Sequence, residues 1–189
     1  SNSYILKAIA EFYTTVVRGV PELLVIYLLF FGGSGAVMYI AKIFGHMGYI
    51  ELSPFTIGTI AVGAISGAYS TEVIRGAILA VPKGQFEAAQ TLGMAKYAMS
   101  FKVIFPQVAR LALPGIGNVW QVTLKDTALI SVTGLVEIMR QSKIAAGSTH
   151  EPFIFYTVAI ILYLFITSKA VKSSGIALLK IGLAIELAY

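Results

Sequence analysis

Residues 23–41 read Leu-Leu-Val-Ile-Tyr-Leu-Leu-Phe-Phe-Gly-Gly-Ser-Gly-Ala-Val-Met-Tyr-Ile-Ala, without one Asp, Glu, Lys or Arg. A helix needs about 20 predominantly apolar residues to cross a hydrocarbon core, and this stretch is long enough. Residues 52–71 and 152–168 are equally free of charge. A fourth run, 111–124, is shorter and ends against Lys125 and Asp126; it spans if Lys125 snorkels or faces protein interior. No sustained period-two alternation is present, so a membrane β-barrel is a poor reading. The expected fold is all-α, a polytopic membrane helical bundle.

The whole composition agrees. Of 189 residues, 57% are hydrophobic and only 12% charged, against about 45–50% and about 25% in an average soluble domain. Too few polar groups remain to cover a soluble surface, which disfavours soluble enzymes, nucleic-acid binders and disordered tails. The absence of cysteine excludes disulfides, thiolate metal sites and Cys nucleophiles, and two histidines, His46 and His150, exclude a multi-His metal site. The opening Ser-Asn-Ser has neither Met nor a basic leader, which reads as a processed chain or a fragment without a signal peptide. The net charge of +5 is read as topology. With residues 1–18, 75–110 and 169 onward on the cytoplasmic side, that side holds ten Lys and Arg. The other side holds four, Lys42, Lys125, Arg140 and Lys143, as the positive-inside rule requires. The implied partner of the basic flanks is the lipid bilayer, with no nucleic acid.

Between the second and third of these runs along the chain lies the most informative segment, 82–107. It begins Pro82, Lys83, Gly84, Gln85, Phe86, Glu87, Ala88, Ala89, Gln90, Thr91, Leu92, Gly93 and ends Val103, Ile104, Phe105, Pro106. It is helical in composition but too charged for hydrocarbon. Pro82 and Gly84 punctuate its entry, and Pro106 closes it. Ala89 and Gly93, four apart, are expected to form a side-chain-poor strip where another surface docks. Leu92 is an apolar knob beside it, and Glu87 an anionic anchor near the helix start.

This segment resembles the EAA loop of ABC importer permeases: Glu-Ala-Ala, three residues, Gly, nine residues, then Ile-x-Leu-Pro. Glu87, Ala88, Ala89 and Gly93 match, while Val103, Phe105 and Pro106 match the tail in character. Three flanking blocks resemble the polar amino acid permeases, in the histidine, arginine, octopine and nopaline branch. They run from Val17 through Arg18, Gly19, Val20, Pro21 and Glu22; from Ala68 through Glu72 and Arg75 to Gly76; and from Leu113 through Pro114, Gly115, Gly117 and Asn118 to Lys125, Asp126 and Thr127.

The resemblance implies a type I ABC importer permease with a cytoplasmic coupling helix, in the bacterial inner membrane. It implies import of polar or basic amino acids or opines delivered by a periplasmic solute-binding protein. The implied partners are a second permease subunit, with a heterodimer favoured over a homodimer, and two ABC ATPase subunits. No cofactor is expected on this chain; ATP and Mg belong to the partner ATPase, and the chain is a transport subunit rather than an enzyme. Residues 1–170 would form the permease domain, matching the last four of the family's five spans, with residues 1–18 a cytoplasmic approach after an absent first helix. Residues 171–189 form an atypical tail, either an interfacial helix on the inner leaflet or an altered reading frame. Glu87, Ala88, Ala89 and Gly93 are the expected ATPase-coupling residues.

Other residues are weighed individually. Thr59, Gly63, Ser66 and Ser70 recur on one helical face; the glycines are read as packing and Ser66 and Ser70 as lining a substrate path. Asn118, Gln121 and Lys125 form a polar stripe, and Asn118 and Gln121 are read as pathway residues. Relatives often carry an acidic residue directly after this Asn, whereas Val119 and Trp120 follow here, so the carboxylate for a cationic substrate would come from the partner permease. Lys125 and Asp126 are either a gate contact or a structural pair. Glu137, Arg140, His150 and Glu151 are read as a solvated outer face. The rival function is a gradient-driven secondary transporter or channel subunit, which would place ionisable relays inside its spans.

Overall fold

The computed structural model describes residues 4–45, 48 and 53–187. His46, residues 47 and 49–52 of the same loop, and the side chains beyond Lys172, including Lys180, lie outside the described residues.

The described chain is helical: α1 Tyr4–Gly19, α2 Glu22–Tyr27, α3 Gly33–Ile43, α4 Pro54–Ala80, α5 Lys83–Thr91, α6 Lys96–Met99, α7 Phe105–Asp126, α8 Ile138–Thr149 and α9 Pro152–Leu187. One π-helical turn, Leu28–Gly32, joins α2 to α3, and another, Ser100–Ile104, joins α6 to α7. A 3₁₀ segment, Thr127–Thr133, follows α7. The breaks fall where the sequence demands them. Pro21 and Pro82 sit extended just before α2 and α5, while α4 and α9 begin with Pro54 and Pro152, at the position where the missing N–H costs nothing. Glu22 in the first turn of α2 meets the positive end of its dipole.

Among the described residues, three helical stretches are long and apolar enough to cross a membrane: Glu22–Ile43, Pro54–Ala80 and Pro152–Lys172. The chain is therefore a membrane-spanning protein. The expected fourth, α7, has 22 residues, long enough to span at about 1.5 Å per residue, but Arg110, Asn118, Gln121, Lys125 and Asp126 lower its apolar character. Pro106 does not close the preceding segment. It sits at the second position of α7, directly after a π turn, where rewound hydrogen bonds accommodate its missing N–H. Likewise, Ser173, Ser174 and Gly175 do not interrupt α9, which runs on through the C-terminal stretch.

By proximity the chain divides into two compact units, one drawn from the chain up to Ala68 and from Val122–Thr167, the other from Tyr69–Gln121 and from Ser168 on. In the first, Ile26, Ala61, Val62, Ile65, Ile130, Ala146 and Ala159 are buried. The α2 helix packs on the Thr127–Thr133 segment. The α1 helix attaches through Tyr13, whose hydroxyl donates to the Ala64 carbonyl, leaving Ile5, Ile9, Phe12 and Val16 exposed. At Gly58 the backbone of α4 lies so close to Ile130 that a Cβ would come 2.5 Å from its Cγ2. In the second unit, Ala77, Val81, Ile104, Val108 and Ala112 form the core, with Val73, Phe86, Met99, Val103 and Ile116 packed on it. Gly115 makes the matching close approach there, its Cβ position 2.5 Å from Val73 Cγ1.

Candidate functional site

The helix α5 is nine residues long, too short to hold itself in water. It is held by its root: Phe86 packs on the Val81–Ile104–Val108 core and Ala89 is buried. Gln107 Nε2 adds hydrogen bonds to Gln85 Oε1 at 3.2 Å and to the Val103 carbonyl at 3.0 Å. The far end is closed by a Schellman motif. The Met94 N–H donates to the Ala89 carbonyl at 3.1 Å and the Gly93 N–H to the Gln90 carbonyl at 2.9 Å. Gly93 stands at φ 69, the left-handed region that glycine enters without strain. Glu87, Ala88, Gln90 and Thr91 are exposed, and Leu92 is 80% exposed.

This geometry corrects two expectations. Ala89 and Gly93 do not form an outward strip, because Ala89 faces inward and Gly93 lies beyond the helix end as its stop residue. Glu87 lies past the first turn of α5, outside the range where the helix dipole acts strongly. The face offered outward is instead Glu87, Ala88 and Thr91, with Leu92 at its tip.

In the first unit a cavity of about 510 Å³ is lined by Thr59, Gly63, Ser66, Thr123, Thr127, Glu137 and Tyr163 among others. Three of the four residues read as one face of the 52–71 run thus gather at one cavity. Ser70, Asn118 and Gln121 are not among its lining residues; Asn118 is exposed and Ser70 and Gln121 are half-buried. Several hydroxyls are spent on their own helices, Thr59 on the Phe55 carbonyl at 2.8 Å and Thr127 on Leu124 at 2.7 Å. Lys125 is exposed and Asp126 half-buried.

Glu137 is not part of a freely solvated face. It caps α8, accepting from the Met139 N–H at 2.8 Å and the Arg140 N–H at 2.6 Å, and also accepts from the Tyr163 hydroxyl at 3.0 Å. The sequence alone placed Glu137 with Arg140, His150 and Glu151 on a solvated outer face. The missed signal was a carboxylate directly ahead of a helical pattern, a start signal; its pairing with Tyr163 crosses 26 positions and leaves no local trace.

Against known proteins, residues 2–171 match the family described as "Binding-protein-dependent transport system inner membrane component". The chain belongs to this family. It is 54% identical over 169 residues to the nopaline transport system permease protein of Agrobacterium fabrum, covering 89% of this chain and 72% of the relative. It is 44% identical over 170 residues to the histidine/lysine/arginine/ornithine transport system permease protein of Escherichia coli, covering 90% and 73%. A crystal structure of an amino acid ABC transporter with histidines superposes with a TM-score of 0.78 at 32% identity, covering 95% of this chain and 78% of that one. As a transport component of this family, the chain has no bond to make or break.

Proposed function

We propose that this chain is the translocating permease subunit of an ATP-driven importer for basic or polar amino acids or opines, with α5 as its coupling helix. The observation that carries the reading is the construction of α5: buried at Ala89, packed on the core through half-buried Phe86, stopped by Gly93, and bare at Glu87, Ala88 and Leu92. A helix so rooted moves with the core of its unit. Its relatives named for opines and basic amino acids supply the substrate class.

In this reading the protein lies in a bacterial inner membrane, crosses it several times and pairs with a second permease subunit, a heterodimer being favoured. Two ATPase subunits, which hold the ATP and Mg, seat on the α5 helices, and a periplasmic binding protein delivers substrate. Closure of the ATPases on nucleotide biases the spans between outward-open and inward-open populations. Asn118, Gln121, Ser66 and Ser70 line the substrate path, and Lys125 with Asp126 serves as a gate or structural pair. Glu87→Lys together with Leu92→Asp should abolish ATPase co-purification while leaving the permease in the membrane. Full recovery of the ATPase and undiminished uptake with both changes would refute the assignment of α5.

A further inference from the structure

The span formed by α2, the π turn and α3 contains Gly32, Gly33 and Gly35, and nothing in the chain's own packing asks for them. Gly32 and Gly33 have ordinary helical angles, φ −69 and φ −62, and Gly35 is not among the positive-φ glycines. A Cβ at Gly33 or Gly35 would meet nothing within 4 Å, and at Gly32 only Leu28 Cδ1 at 3.6 Å, an ordinary contact. This contrasts with Gly58 and Gly115, where a Cβ would collide. Glycine in a helix interior is nonetheless unfavourable relative to alanine.

Three independent features sit at the same place. The helix is rewound as a π turn over Leu28–Gly32, a local defect enriched at functional sites. Ser34 Oγ donates to the Phe30 carbonyl at 2.6 Å, the back-bond that bends helices. An open apolar hollow of about 750 Å³ lies alongside, lined by Tyr27, Leu28, Phe31 and Gly32 of this span and by Val17 and Val20. Below the turn, α2 is fixed against Thr127–Thr133. Above it, none of the residues of α3 is buried.

We propose that Leu28–Gly35 is a hinge within this span: α2 stays fixed while α3 swings about the π turn and its glycines during the transport cycle. The inference rests on the reading of the chain as an ATP-driven permease. It identifies where one span bends. A kink of about 20° on an arm of 11 residues, about 16 Å at 1.5 Å per residue, carries the end of α3 through about 5–6 Å. Exchanging Gly33 and Gly35 for alanine favours the helical over the locally unwound backbone by up to about thirtyfold over the two sites, and so opposes a hinge that opens the helix there.

The chain has no cysteine, so spin labels can be placed singly. In the complete complex, label pairs Ile40→Cys/Ile144→Cys and Leu24→Cys/Ile144→Cys use exposed positions above and below the turn. Pulsed electron-electron distance measurements compare the nucleotide-free and ATP-trapped states. The hinge requires a shift of several ångström for the Ile40 pair and none for the Leu24 pair. The Gly33→Ala/Gly35→Ala variant should suppress that shift and slow uptake about tenfold or more. Gly147→Ala, another open helical glycine, should leave uptake unchanged. Equal shifts for both pairs, no shift for either, or a shift that survives the double alanine variant would overturn the hinge. So would loss of the second permease subunit from the double variant, which makes the glycines a packing seat. ATP-driven uptake by the parent complex is measured in the same membranes. Its absence faults the transport reading, whereas uptake with no distance change faults the hinge alone.

Discussion

Gly93 offers the sharpest perturbation of α5, the proposed coupling helix, because its surroundings separate two costs that usually mix. A Cβ there meets nothing within 4 Å, so Gly93→Ala introduces no clash within the chain. What it introduces is a side chain at φ 69, a penalty of about 1–2 kcal/mol for an L-residue in the left-handed region. That converts to a fivefold to thirtyfold shift, roughly, toward an unwound helix end. The Met94 and Gly93 amides that close the Schellman motif should lose hydrogen-exchange protection by that factor. Asparagine tolerates the left-handed region, so Gly93→Asn should lose less; Gly93→Val, β-branched, should lose more. Coupling, read as substrate-stimulated ATP hydrolysis by the complete complex, should fall in the same order. Gly93→Trp adds bulk into open space, so a further loss with Trp beyond Val reports a docked partner. Protection and coupling in Gly93→Val equal to the parent would refute the reasoning, since the stop residue would then not need its glycine.

Elsewhere, Gly58→Ala should destabilise the first unit by about 1–3 kcal/mol through overpacking, seen as a lower unfolding temperature. Ile130→Ala, which removes the colliding atoms, should cost less in that background than alone. Tyr163→Phe keeps the ring but takes one donor from Glu137, and should cost about 1–3 kcal/mol. Glu137→Ala, which also uncaps α8, should cost more, and the double variant should fall short of the sum. Asn118→Leu and Gln121→Leu should raise the KM for uptake while the complex assembles normally; unchanged kinetics would remove both from the pathway.

The spans were legible because charge exclusion from hydrocarbon is strong and one-dimensional: the uncharged 23–41 and 152–168 runs, and 52–71 from Pro54 on, fall within helices long enough to cross. The coupling segment was legible as spacing, Glu87-Ala88-Ala89 and Gly93, but its facing was not. Which side of a nine-residue helix is buried depends on Phe86 meeting Val81 and Ile104, a tertiary fact absent from local pattern. Pro106 was misjudged for a related reason, since a proline after a π turn sits within a continuous helix. The partnership of Glu137 with Tyr163 and the collision courses of Gly58 and Gly115 are long-range contacts, and a single sequence carries no record of them.

The central claim is that ATP hydrolysis by a docked partner, acting through α5, drives this permease. It is tested most directly in proteoliposomes holding the complete complex, with ATP inside with the ATPases, substrate-loaded binding protein outside, and labelled arginine or an opine as cargo. Uptake should require ATP, persist when ion gradients are collapsed, and vanish with Glu87→Lys/Leu92→Asp although the permease remains inserted. Uptake that follows an ion gradient and proceeds without the ATPase would contradict it.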